Sequence, residues 1–575
     1  MWSRHGKRSA GKAVGVLSVS FAMVLGTSTT ATGAPGDAAA PQAPASAADE
    51  YIVAFDGAPE TAAAAIAAAG GTVTDLTEQV GVALVTSTDG AFLDDVRARG
   101  EIRGAARNHS VGTARPGMPH RFAEERPVAD RAGGSGSADR PFHGGPDAEP
   151  LADRQWNMQM IGATADAAHP EATGKGVDVG IIDTGVDATH PDLAPNFDPQ
   201  RSRNFTTDIP EVDGPCEFES CVDPADVDDN GHGTHVAGIV AADDNDFGVG
   251  GVAPDATLVN VRAGNDSGYF FLYETVKALV YAGDIRLDVV NMSFFTDPWL
   301  YNCASREEYI EGDVTDEELA QQRLIRELVL GAVTYAHGRG VTLVGAAGNE
   351  HQDLAAPTRY DETSPDFPPD AARPRRVENT CLNVPSEAPE VVSVSAVGPS
   401  TTKADYSNYG LGDVEIAAPG GWLRDFVGTP AFQTPGNLVL SSYPLDVAIE
   451  EGLADPNGDP VDEFSVEYCD ANGVCGFYTY LQGTSIASPH VAGVAALIIE
   501  DQGRSGRDGR ALDPAVVADV LAASAEDHAC PAGGVEVYTD EDRTPDFNAV
   551  CEGTTDENGL YGEGVVDAAA AVQDR

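Results

Sequence analysis

Three short stretches, far apart in the chain, supply an acid, an imidazole and a hydroxyl: Ile181-Ile182-Asp183-Thr184-Gly185, Gly231-His232-Gly233-Thr234-His235 and Gly483-Thr484-Ser485-Ile486-Ala487. The order Asp, His, Ser is one of the three known chain orders for a serine-nucleophile triad. In such a triad the imidazole takes the hydroxyl proton as the oxygen attacks a carbonyl, then passes it to the leaving group. The acid fixes the imidazole tautomer and supports the imidazolium that forms. Asp183 directly follows an apolar run, so its carboxylate is expected to be partly buried and to need partners to stay ionised. Glycines flank His232, which lets a substrate backbone approach the ring. Ser485 opens a helical run whose N-terminus favours developing negative charge. Asn349, in Gly345-Ala346-Ala347-Gly348-Asn349-Glu350, follows another apolar run and is the candidate amide donor to an oxyanion. Asp-Thr-Gly also occurs in aspartic peptidases, but those need two such carboxylates side by side, and the sequence has no second Asp-Thr-Gly.

These residues need a scaffold, and the pattern from about Leu151 to Arg575 provides one. Apolar runs at 177–182, 257–261, 289–292, 341–345 and 391–397 read as buried strands. Helical patterns at 273–282 and 317–337 lie between some of them. Alternating strands and helices point to an α/β fold with a mostly parallel sheet, whose active sites lie at the carboxyl ends of strands. Upstream, residues 50–113 read as a separate small α+β unit. It has strand patterns at 51–55, 71–74 and 82–85 and helical patterns at 60–69 and 91–99. Residues 114–150, rich in Pro, Gly, Asp and Arg, read as a flexible linker, and 35–49 as disordered.

Residues 1–34 carry a basic start, a short apolar run and small residues, the pattern of a cleavable secretory signal. The expected location is therefore extracellular, with no stable membrane anchor, because no apolar run is long enough to span a bilayer. A formal charge of −56 leaves no basic surface for nucleic acid. Export permits disulfides. The close pairs Cys216–Cys221 and Cys469–Cys475 are expected to bridge, and Cys303–Cys381 and Cys530–Cys551 follow by elimination. The absence of a Cys-x-x-Cys pair, and of a third ligand beside His232 and His235, argues against zinc. The run 208–229 holds nine carboxylates and no Lys or Arg, and reads as a solvated loop.

With their flanking residues, the three motifs resemble the subtilisin-like serine peptidase (subtilase) family. The resemblance implies a three-layer α/β fold, a serine endopeptidase acting on proteins or peptides, and no organic cofactor. It assigns catalysis to Asp183, His232, Ser485 and Asn349, with His235 and His490 structural. Residues 50–113 match the position of the family's inhibitory propeptide, and 151–575 that of the peptidase domain. Asp266-Ser267-Gly268 and Ser293-Phe294-Phe295 align with the two cleft edges that hold an extended peptide, and Ala346, Ala347 and Gly348 with a wall of the primary pocket. Two departures stand out: Ile486 where the family usually has Met, and Phe295 where it commonly has Gly. The loop 243–249 resembles a structural calcium loop. Asn245 would give a side-chain oxygen, Asp243, Phe247 and Val249 carbonyls, and Asp192 a carboxylate from another segment, a hard oxygen set suited to calcium. Three polar insertions, 296–316, 352–385 and 421–478, lengthen the chain between His232 and Ser485 and are expected to be loops that shape specificity. Three functions compete on this reading: a broad exported endopeptidase made as a zymogen, a narrow processing peptidase for one precursor, and a catalytically silent peptide-binding protein.

Overall fold

The computed structural model describes residues 49–108, 149–368, 371–506, 509–539 and 543–573. The expected signal, the disordered segment up to residue 48 and nearly all of the linker lie outside these residues; Asp49, expected to be disordered, begins a strand.

Seven parallel strands form the central sheet, in the order 416–419, 391–397, 342–346, 289–292, 178–182, 257–262 and 203–204. Successive side chains of a strand point to opposite faces, and the sequence is apolar at both parities. Val179, Ile181, Leu258, Val289 and Val344 enter one core with the helices His232–Ala241 and Thr484–Gln502. Ile182, Val259, Val290, Met292 and Leu343 enter a second core with the helices Leu272–Ile285 and Asp316–Gly338. A sheet buried on both faces accounts for strands that read as continuous apolar runs. The result is three layers. The long 316–338 helix starts at a capping box, in which Thr315 accepts from the Glu318 N–H and Glu318 accepts from the Thr315 N–H.

Residues 49–108 form a four-stranded antiparallel sheet in the order 72–77, 82–87, 49–55, 102–107. Its last strand, Ile102–Arg107, escapes the sequence reading. Two arginines and a glycine in six residues blur its alternation, and pairing with the 49–55 strand supplies what local propensity lacks. Period two again divides the side chains. Tyr51, Val53 and Phe55 meet the two small helices of this unit. Ile52, Ala54, Val82 and Ala106 meet the 272–285 and 316–338 helices of the large unit. Arg103 pairs with Glu327 at 2.7 Å, Arg107 with Glu317 at 3.4 Å, and Lys277 with Asp75.

The insertions depart from expectation, because they are built into sheets. The first two share a three-stranded sheet of 309–311, 358–361 and 375–378 and are joined by Cys303–Cys381. The third contributes to a sheet of 439–443, 465–469 and 475–481. Each sheet packs on its own apolar cluster, which is why polar surface residues on its outer face read as loop. All four expected disulfides are formed. Among the described residues, no helix is long and apolar enough to cross a membrane.

Candidate active site

Asp183 stands one residue past the end of the central strand 178–182, fully buried. Its Oδ1 accepts from the backbone N–H of Thr184 at 2.8 Å and lies 2.7 Å from Nδ1 of His232. Burial pushes the carboxyl up from its ordinary value, and the imidazole and the Thr184 N–H pull it back. An Nδ1–H donated to Asp183 directs Nε2 away from it, as a general base requires. His232 begins the 232–241 helix, which packs against the 484–502 helix. Ser485 is in the first turn of that second helix and is buried. The structure thus brings Asp183 and His232 into contact and sets Ser485 at the N-terminus of the adjoining helix.

Asn349 follows the 342–346 strand, at the same carboxyl end of the sheet as Asp183. Its Oδ1 accepts from the N–H of Thr484 at 2.9 Å and from the Thr484 hydroxyl at 3.0 Å. The amide oxygen is therefore held toward Thr484, and the amide nitrogen is the end left to face a reacting oxyanion.

Asp228 was missed by the sequence reading. One oxygen accepts from the Thr184 hydroxyl and from the N–H groups of Asn230 and Gly231, at 3.0, 3.2 and 3.0 Å. The other accepts from the N–H and hydroxyl of Thr234, at 2.9 and 2.6 Å. This one buried carboxylate ties the segment after Asp183 to the loop and helix that carry His232. Gly231 is left-handed (φ 93°), and a Cβ there would sit 2.3 Å from the Tyr443 ring. Tyr443 donates to the Asn230 carbonyl at 3.1 Å, so the third insertion's sheet braces the histidine loop from behind.

His235 and His490 act as buried struts. His235 Nε2 lies 3.2 and 3.1 Å from the carbonyls of Val439 and Thr479. His490 Nδ1 lies 3.0 Å from the Ile486 carbonyl, and its Nε2 lies 2.8 Å from Nδ2 of Asn157. Burial pushes His235 down to about 3 and His490 to about 4, so both are neutral in ordinary buffers.

At the two expected cleft edges several side chains turn inward. Ser293 directs its side chain inward: its hydroxyl donates to the Ser485 carbonyl at 2.8 Å, lies 2.9 Å from the Ser488 hydroxyl and accepts from Asn291. Its buried side chain is thereby tied to the helix that carries Ser485. Phe294 is buried and stacks on Phe270 at 4.0 Å between centroids. Phe295 packs on the cluster of the first two insertions, which includes Ala347 and Leu354. The N–H of Ser267 donates to Asp213 at 3.0 Å, and that of Gly268 to the Asn265 carbonyl at 2.9 Å. The 209–213 segment has folded onto this edge, so its N–H groups are spent inside the chain. Ala346 and Ala347 are buried, and Gly348 is left-handed, with no room for a Cβ beside Asn408.

The acidic run 208–229 also differs from expectation. Asp208, Asp223 and Asp228 are buried. Arg262, fully buried on the neighbouring 257–262 strand, pairs with Asp223 at 2.9 Å and with Asp266, and lies 4.0 Å from Asp229. A cation from outside the run thus draws Asp223 and Asp229 toward the 257–262 strand, which the local charge pattern cannot reveal.

At the 243–249 loop, Oδ2 of Asp192 accepts from the Val249 N–H at 3.1 Å and from the Tyr478 hydroxyl at 2.9 Å. Oδ1 of Asp192 and Oδ1 of Asn245 are buried with no hydrogen-bond partner. Burial pushes Asp192 up to about 7. The Asp243 N–H donates to the Asp192 carbonyl at 2.8 Å, holding the two segments together. Two orphaned oxygen acceptors, one from each segment, fit a hard cation. Glu149, unforeseen in the sequence, joins this region by accepting from the Asp246 N–H at 3.1 Å.

The profile of the subtilase family matches residues 174–558. Thermitase of Thermoactinomyces vulgaris is 28% identical over 359 residues, which is 62% of this chain and 86% of thermitase. Subtilisin DY of Bacillus licheniformis is 30% identical over 326 residues, 57% of this chain and 77% of that protein. Among solved structures, the epidermin leader peptide processing serine protease of Staphylococcus aureus shares the fold. Its TM-score is 0.58 at 21% identity, over 92% of this chain and 100% of that one. The chain belongs to the subtilase family and is a serine endopeptidase.

Proposed function

We propose that this peptidase is exported as a zymogen and cleaves peptide bonds through Ser485, His232 and Asp183, with Asn349 donating to the oxyanion. The contact between His232 Nδ1 and Asp183 at 2.7 Å carries the reading, because it presents the opposite ring nitrogen as the base. His232 takes the Ser485 proton as the oxygen attacks the scissile carbonyl. The Asn349 amide and the helix N-terminus meet the oxyanion. His232 then protonates the leaving amine, and a water repeats the cycle to release the acyl group.

Support for the zymogen comes from the 49–108 unit, which covers the 272–285 and 316–338 helices with apolar side chains and opposed charges. The signal pattern in residues 1–34 supports export. Calcium at Asp192, Asp243, Asn245, Phe247 and Val249 supplies structural cross-linking of the loop when bound. N-terminal sequencing of secreted wild-type and Ser485→Ala protein tests the zymogen. The expected result is a mature start within 109–150 for the wild type and an uncut chain for the variant. Identical processing of both would contradict it.

A narrow substrate range is favoured over broad digestion by one observation. Tyr269 and Phe271, beside the cleft edge, pack on Phe367 of the second insertion at 5.3 and 4.9 Å between centroids. The insertion thereby walls the edge that an open cleft leaves accessible. Cleavage of a random peptide library should give few products sharing a motif, whereas unrestricted cleavage would remove this reading.

A further inference from the structure

We propose that Asp208, Asp223, Asp229 and Asp266, with Glu217 at their rim, form a divalent-cation site for calcium beside the loop that carries His232. The assignment is separate from the 243–249 loop and independent of the catalytic reading.

Charge balance is the first argument. Three carboxylates face Arg262, which pairs with Asp223 and Asp266 and lies 4.0 Å from Asp229. Among the described residues, neither Asp208 nor Glu217 has an ion-pair partner. The second argument is unmet coordination. Asp208 is 4% exposed, and neither of its carboxylate oxygens has a hydrogen-bond partner. A buried carboxylate with both oxygens unmatched is costly unless a cation compensates it.

Geometry is the third argument. One oxygen each from Asp208, Glu217 and Asp266 lie within 4.8 Å of one another, as do oxygens from Asp223, Asp229 and Asp266. Ligands at 2.3–2.6 Å from one calcium can be at most about 5 Å apart. Both sets fit that limit, and Asp266 belongs to both. The ligands are also fixed in advance. Cys216–Cys221 closes the loop bearing Glu217, the Asp208 N–H donates to the Cys221 carbonyl at 2.8 Å, and Asn204 holds the Asp223 carbonyl at 3.2 Å. Calcium suits the site better than a substrate's basic side chain, because the Asp208 and Asp223 oxygens are sealed from solvent.

The site reaches the catalytic loop directly. Asn230, two residues before His232, donates to the Asp266 carbonyl at 2.8 Å. A bound ion would cross-link the 208–229 loop, the 262–266 segment and the histidine loop.

The test uses full-length Ser485→Ala protein, which does not digest itself, stripped with EDTA and dialysed against calcium chloride, with calcium counted by mass spectrometry. The parent should hold one more calcium than its Asp208→Asn/Asp223→Asn derivative, and that derivative should keep the ion removed by Asp192→Asn. Equal calcium content in parent and derivative overturns the proposal. If the derivative does not fold, crystals of the parent grown in calcium decide: an anomalous peak bonded to Asp208 and Asp266 supports the site, and its absence overturns it. A parent that lacks the ion but binds a peptide with lysine beside the scissile bond more tightly than its alanine counterpart also overturns it, reassigning the cluster to substrate.

Discussion

Thr484 donates both its backbone N–H and its hydroxyl to one oxygen of Asn349, at 2.9 and 3.0 Å. Thr484, the residue before the proposed nucleophile, thus fixes the orientation of the amide proposed to meet the oxyanion. Asn349→Ala should lower kcat by about 10²–10³, the loss typical of one oxyanion donor. Thr484→Val removes one of the two bonds that hold the amide. At about 1 kcal/mol for a hydrogen bond, it should cost several-fold to tenfold in kcat with KM unchanged. Steady-state kinetics on a chromogenic peptide measures both, and a change confined to KM would contradict the positioning role.

Asp228 accepts five hydrogen bonds, from Thr184, Asn230, Gly231 and Thr234. Asp228→Asn places an NH2 group against donors and removes the charge that they stabilise. We expect a loss of at least about 3 kcal/mol in denaturant unfolding of the Ser485→Ala background, together with reduced kcat in the active enzyme. Stability within about 0.5 kcal/mol of the parent would show that the network contributes little.

His490 gives a pH signature. Its folded pKa is depressed from 6.5 to about 4 by burial. The unfolded chain therefore binds the proton first as pH falls, and the folded state loses stability between pH 6.5 and about 4. The loss is about 3 kcal/mol from this group. His490→Gln cannot take up that proton. Its stability deficit relative to wild type, measured by urea unfolding, should be greatest at pH 8 and shrink toward pH 4. A deficit independent of pH would contradict the neutral, buried imidazole.

Leu324 is buried, and its Cδ2 lies 2.9 Å from the place a Cβ on Gly104 of the small unit would take. Leu324→Asp puts a carboxylate into that contact. The lost apolar burial and the desolvated charge should weaken the association of the processed 49–108 fragment by about 100-fold or more. On gel filtration the wild-type fragment should co-elute with the enzyme and the variant's should separate. Co-elution in both would argue that the interface holds by other means.

The sequence was most legible where chemistry demands fixed residue types next to one another. Asp183, His232, Ser485 and Asn349 each sit in a run of small or apolar residues that marks a strand end or helix start. The sheet's strands were readable because both faces are buried. What escaped depends on partners distant in sequence. Asp228 looks like one more charge in an acidic run until Thr184 lies beside it, 44 positions away. Arg262 reads as a strand residue, yet it gathers the carboxylates of a separate loop. The motif gives Phe294 a backbone position at a cleft edge; the stacking of its ring on Phe270 is a tertiary fact.

The most direct test of the central claim is covalent labelling of the wild-type enzyme with a fluorophosphonate, mapped by tryptic mass spectrometry. One modified residue, Ser485, is expected, with labelling abolished in Ser485→Ala and slowed by several orders of magnitude in His232→Ala. A folded wild-type enzyme that stays unlabelled, or carries the label on another serine, would contradict it.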